Sequence, residues 1–127
     1  MPIAIDPTKV IEYVLLCDRD LPPEEQTMFE LKVLTARELA KIEDGSARAD
    51  VSGNIEFRSG TQVINILNVG LKGWRNFKDA QGREVPFREN NGAPRPENWD
   101  YLTPDWRREL ANAVTEQTRV TETERKN

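Results

Sequence analysis

The chain has 127 residues, of which 37% are apolar and 31% charged, with a formal net charge of −4. That is enough for one lean domain, and the longest uncharged apolar run, Tyr13–Cys17, is far short of the roughly 20 residues that cross a bilayer as a helix. There is no histidine and a single cysteine, Cys17, which removes the commonest general base, the commonest metal ligand, any intrachain disulfide and every cysteine-rich zinc site.

Residues 1–9 contain Pro2 and Pro7 and read as an extended arm, with neither a basic start nor a long apolar core for a signal peptide. Val10–Cys17 is β-branched and aromatic and reads as a strand. Its faces are both apolar: Val10, Val14 and Leu16 on one, Ile11, Tyr13 and Leu15 on the other. Such a strand is covered on two sides, or by something outside the chain, which makes Val10 and Tyr13 candidate contact residues. Cys17 closes it as a packed small hydrophobe. Asp18–Gln26 is a polar connection in which Leu21-Pro22-Pro23 forms an exposed loop. In Thr27–Leu34, Phe29, Leu31 and Val33 alternate with Glu30 and Lys32, as in a half-buried strand pairing antiparallel with the first.

Thr35-Ala-Arg-Glu38 is a capping box, with Leu34 and Leu39 placed as a hydrophobic staple, and the helix it opens stops at Gly45. Asn54–Arg58 reads as a short strand. Thr61 reads as the cap of a helix over 62–71, and Gly70 and Gly73 as exit signals. Trp74–Phe77 and Glu84–Phe87 flank the turn residues Asp79 and Gly82 as the arms of a hairpin. Pro86 restricts its arm to an edge. Glu89–Asn98 reads as a loop. Thr103-Pro104-Asp105 is a strong helix start, followed at helical spacing by Trp106, Leu110, Ala113, Val114 and Gln117. Residues 118–127 form a polar tail.

The expected fold is α+β: a small antiparallel sheet, made of the N-terminal strand pair and a later hairpin, packed with about three short helices. It spans residues 10–117, between the arm and the tail.

Six of the nine aromatics lie between residues 74 and 106. Trp74, Phe77, Phe87 and Trp106, with Phe29, are expected in the core. Trp99 and Tyr101, in a Pro-rich segment, are the candidates for contact with a partner. The acid pairs Glu24-Glu25 and Glu43-Asp44 sit on polar segments with no sign of the burial that general acid–base work needs. Asp79–Gly82 lacks the alternating acids of a calcium loop. No phosphate-cradling motif occurs. Residues 1–44 carry ten acidic and five basic side chains, a net −5, and residues 45–127 carry twelve and thirteen, a net +1. No basic face of the kind that binds nucleic acid results, and the acidic third suits a basic partner surface. No enzyme, cofactor or metal site is expected.

Gln26–Phe29, Leu34-Thr-Ala-Arg-Glu38, the block Gly70–Phe87 with its Gly-Trp, Asp-Ala-Gln-Gly and Pro-Phe elements, Glu109-Leu110 and Glu124–Asn127 resemble small proteins encoded in the morphogenesis regions of tailed bacteriophages. The Gly70–Phe87 element is similar to one in phage tail-assembly-chaperone-like proteins. The resemblance implies a structural or assembly protein that binds other phage proteins, in the virion or in the host cytoplasm during assembly, as a tail assembly chaperone or a minor head or tail component. Self-association is compatible with that role. It carries over no catalytic or ligand residue. The rival expectation is a small phage-encoded inhibitor of a host protein.

Overall fold

The computed structural model describes residues 8–45 and 60–126. Strands β1 (Val10–Tyr13), β2 (Met28–Lys32) and β3 (Leu71–Arg75) form an antiparallel sheet in the order β1-β2-β3. Helices α1 (Ala36–Gly45), α2 (Gly60–Gly70) and α3 (Pro104–Lys126) and the two-stranded ribbon β4 (Glu89–Asn90) with β5 (Ala93–Pro94) complete an α+β fold. The expected strand at 54–58 and the first seven residues of the arm read over 1–9 lie outside the described residues.

The first strand is half as long as its composition suggests. Ile11 pairs with Leu31 and Tyr13 with Phe29, and the ladder stops there. The Leu15 carbonyl accepts from the Asp18 N–H at 3.0 Å, and Leu16–Asp18 turn as a 3-10 segment. Breaking the strand resolves its two apolar faces: Leu15 enters the core, whereas Leu16 and Val10 stay 62% and 48% exposed. Cys17 is exposed on this turn, not packed. The alternation in β2 places Phe29, Leu31 and Val33 in the interior.

The capping box closes as the sequence requires. The Glu38 N–H donates to Thr35 Oγ1 at 3.1 Å, and the Thr35 N–H to Glu38 Oε1 at 2.8 Å. Along α2, Val63, Ile66, Leu67 and Gly70 are buried. The helix begins at Gly60, so Thr61 lies in its first turn instead of preceding it. Gly70 ends α2 and passes directly into β3. A Cβ there would lie 2.6 Å from Val114 Cγ1, so hydrogen at this position lets α3 approach α2. Gly73 is not an exit but a strand residue facing Glu30, beside a register shift that leaves Lys72 of β3 as the extra residue opposite Glu30 and Leu31.

The expected hairpin over 74–87 is reduced to one bridge, Lys78 with Glu84. Trp74 is instead used by β3, which pairs with β2. Asn76, at φ 60°, turns the chain away from the sheet, and Pro86 offers no N–H to extend a ladder. The turn between the arms is as read: Asp79 Oδ1 accepts the N–H groups of Gln81 and Arg83, both at 2.9 Å, and Gly82 sits at φ 78°. The two-stranded hairpin lies further on, inside the segment read as a loop. Asn91 and Gly92, at φ 56° and 81°, form the Asn-Gly turn that favours a two-residue connection.

At the start of α3 the Trp106 N–H donates to Thr103 Oγ1 at 3.1 Å. The helix continues to Lys126, through the segment read as a polar tail. Within it Thr118 is buried and its Oγ1 accepts the Leu34 N–H at 2.9 Å.

Candidate functional site

The aromatic side chains form a continuous run of ring contacts. Trp74 packs edge-on to Phe77 at 5.0 Å and to Phe87 at 4.9 Å, Phe29 lies 5.8 Å from Phe77, and Trp106 lies 6.3 Å from Phe77. Phe29, Trp74 and Phe77 are buried, and Phe87 and Trp106 pack partly buried against them.

Trp99 belongs to this interior, which corrects its assignment as a contact residue. It is 1% exposed, lies 6.1 Å from Phe87 and donates its indole N–H to Asn68 Oδ1 at 2.8 Å. The cause is its neighbour. Asn98 is fully buried and exchanges two hydrogen bonds with the Arg88 backbone, accepting at 2.9 Å and donating at 2.8 Å. This side chain holds Pro96–Tyr101 as a 3-10 turn against the body, with Trp99 inward. Tyr101, two residues on, stays 47% exposed.

Tyr13 is half-buried. Its hydroxyl donates to Glu109 Oε2 at 2.7 Å, and the same oxygen accepts the Leu16 N–H at 2.8 Å. Burial, then the hydrogen bond and charge of Glu109, raise its pKa to about 12, against a smaller opposing effect of Arg19. Tyr13 therefore anchors the end of β1 to α3. Val10 is left as the exposed apolar residue of that strand.

Where the connection from β1 to β2, the start of β2, the segment just after β3 and the start of α3 converge, a cleft of about 380 Å³ opens. Leu15, Phe29, Phe77 and Trp106 supply apolar walls, and Asp18, Glu24, Glu25 and Lys78 supply charge. The connection that forms one wall is fixed from several directions. Asn76 Nδ2 donates to the carbonyls of Glu24 and Gln26 at 3.0 and 3.1 Å, and its own carbonyl accepts Thr27 Oγ1 at 3.0 Å. Asp18 Oδ2 accepts the Thr27 N–H at 3.1 Å, and Gln26 Nε2 donates to the Leu21 carbonyl at 3.0 Å. Cys17 also lines the cleft; partial desolvation, then the adjacent Asp18 carboxylate, raise its pKa, so the thiol form predominates at neutral pH.

Sequence reading missed this cleft because four separate segments assemble it. Its only local signal is Pro22-Pro23-Glu24-Glu25, a stiffened acidic turn. Among the described residues no three potential ligands stand together to hold a metal ion, and no helix is long and apolar enough to cross a membrane. Comparison with protein-family models, with curated proteins and with solved structures finds no match.

Proposed function

We propose that this chain is a non-enzymatic protein of tailed-bacteriophage morphogenesis that works by binding other phage proteins, either as a tail assembly chaperone or as a minor head or tail component. The observation that supports protein binding is the exposure of three large apolar side chains, Val10 on β1 and Leu16 and Leu21 on the connection after it. β1 is also an edge of the sheet, with no strand paired on its outer side among the described residues. Edge backbone and exposed apolar side chains together suit strand addition by a partner. The phage assignment rests on the resemblance described above. The segments 26–29, 34–38 and 70–87 that carry it form or flank β2, the cap of α1, β3 and the turn after it.

Affinity capture from a phage-infected lysate, with mass spectrometry of purified virions beside it, tests the reading. Capture of phage structural proteins, reduced by Leu16→Ser with Leu21→Ser, is the expected result. Presence in virions at constant stoichiometry identifies a particle component, and absence identifies a chaperone. Capture of host proteins alone overturns the reading in favour of a host-directed inhibitor.

A further inference from the structure

We infer that the cleft between the β1–β2 connection and α3 receives an arginine or lysine side chain from an extended basic segment of a partner protein. The inference deepens the protein-binding reading and rests on it. Three features carry it. The cleft has the volume for one such side chain, and of its apolar lining Leu15, Phe29 and Phe77 are buried while Trp106 is only half-buried, so Trp106 is the ring open to a methylene stem and a cation. Its charge is one-sided: Asp18, Glu24 and Glu25 against Lys78. Neither Glu24 nor Glu25 has an ion-pair partner among the described residues, and both are exposed. Finally, the acidic wall is set before any partner arrives. Asn76 adopts a left-handed backbone conformation and ties the carbonyls of Glu24 and Gln26 to the end of β3. A pre-set wall lowers the ordering cost of binding.

The exposed Leu16 and Leu21 lie on the same connection as the acids. The occupant is therefore a segment that pairs a basic residue with apolar neighbours. A free metal ion is a poor match, since the lining is half apolar and the acids are spread over two turns.

The test titrates the full chain, labelled with nitrogen-15, with three blocked hexapeptides that are identical except at one position, occupied by arginine, citrulline or glutamate. The expected result is saturable shifts at the Trp106 indole and at residues 15–27, with the buried Trp74 and Trp99 indoles unmoved. Binding should be seen for arginine alone and should weaken as salt rises. Glu24→Gln with Glu25→Gln should raise the dissociation constant about fivefold. Both carboxylates are solvent-exposed and unpaired, so this variant keeps the fold. Equal binding of the citrulline peptide, an unchanged constant in the double variant, or shifts elsewhere on the surface would each overturn the assignment. Running the double variant through the lysate capture separates the two readings. Undiminished capture of phage proteins sinks the cleft and leaves the function standing, while capture of no phage protein by the unsubstituted chain sinks the function and leaves the peptide titration to judge the cleft.

Discussion

The inner face of the sheet and the connection from β1 to β2 both carry large apolar side chains, yet one is sealed and the other faces water. Behind the sheet, Phe29, Leu31, Leu71 and Trp99 are buried, and the polar atoms taken in with them are satisfied: the indoles of Trp74 and Trp99 donate to the Val85 carbonyl and to Asn68. In the connection the backbone satisfies itself locally, with Asp18 N–H to Leu15, Leu21 N–H to Asp18 and Glu25 N–H to Pro22. Those bonds hold Leu16 and Leu21 in the open without needing to bury them. Apolar exposure here is thus a fixed arrangement and not the by-product of a loose loop.

Substitutions that strike the two regions separately should differ in size. Trp99→Ala removes a filled interior volume and should cost about 3–5 kcal/mol by urea unfolding, whereas a contact residue at this position would show almost no change. Gly70→Ala should cost about 1–3 kcal/mol, because the new methyl group would overlap Val114 Cγ1 at 2.6 Å, well inside contact distance. Val114→Ala in the same chain should recover part of that loss, giving a double-mutant coupling of favourable sign. Tyr13→Phe, at the junction between the regions, should cost about 1 kcal/mol, since Glu109 keeps its bond from Leu16.

Glu38 sharpens the comparison through pH. Burial opposes its ionisation, but the hydrogen bond from Lys32 and those at Thr35 outweigh burial and leave its pKa below the usual value of 4.5. Its stabilising effect is therefore fully present above that value and lost as pH falls through the lower folded value. Glu38→Gln should have an unfolding free energy in urea below that of the unsubstituted chain at pH 7, by less than about 1 kcal/mol, and the gap should close on acidification. Smallest of all, Leu16→Ser with Leu21→Ser should leave stability within about 0.5 kcal/mol, so any loss of capture by that variant reads binding and not folding.

What local chemistry decides was readable. The Thr35–Glu38 box, the Thr103 cap, the alternation in β2 and the Asp79–Gly82 turn each lie within a few residues of chain. What long-range packing decides was not. Trp99 sits among prolines and polar residues, and only the distant Asn68 and the Asn98–Arg88 pairing turn it inward. The truncation of β1 depends on Glu109, 96 residues from Tyr13. The Asn91-Gly92 turn was legible and went unread, because the flanking residues lack the alternating apolar pattern that usually marks a hairpin. Of the cleft, only the Pro22-Pro23-Glu24-Glu25 turn is visible in the sequence, since its walls come from four places.

The bonds from Tyr13 and Leu16 to Glu109 also bear on how the polypeptide is made. The residues they join are 96 and 93 positions apart, so at a translation rate of about 5–20 residues per second the N-terminal strand emerges some 5–20 s before its C-terminal clasp exists. During that interval the nascent chain holds Val10, Leu16 and Leu21 beside a sheet that the last helix has not yet secured. Ribosome-bound intermediates halted before residue 109 should therefore be more open to proteolysis near β1 than the released protein.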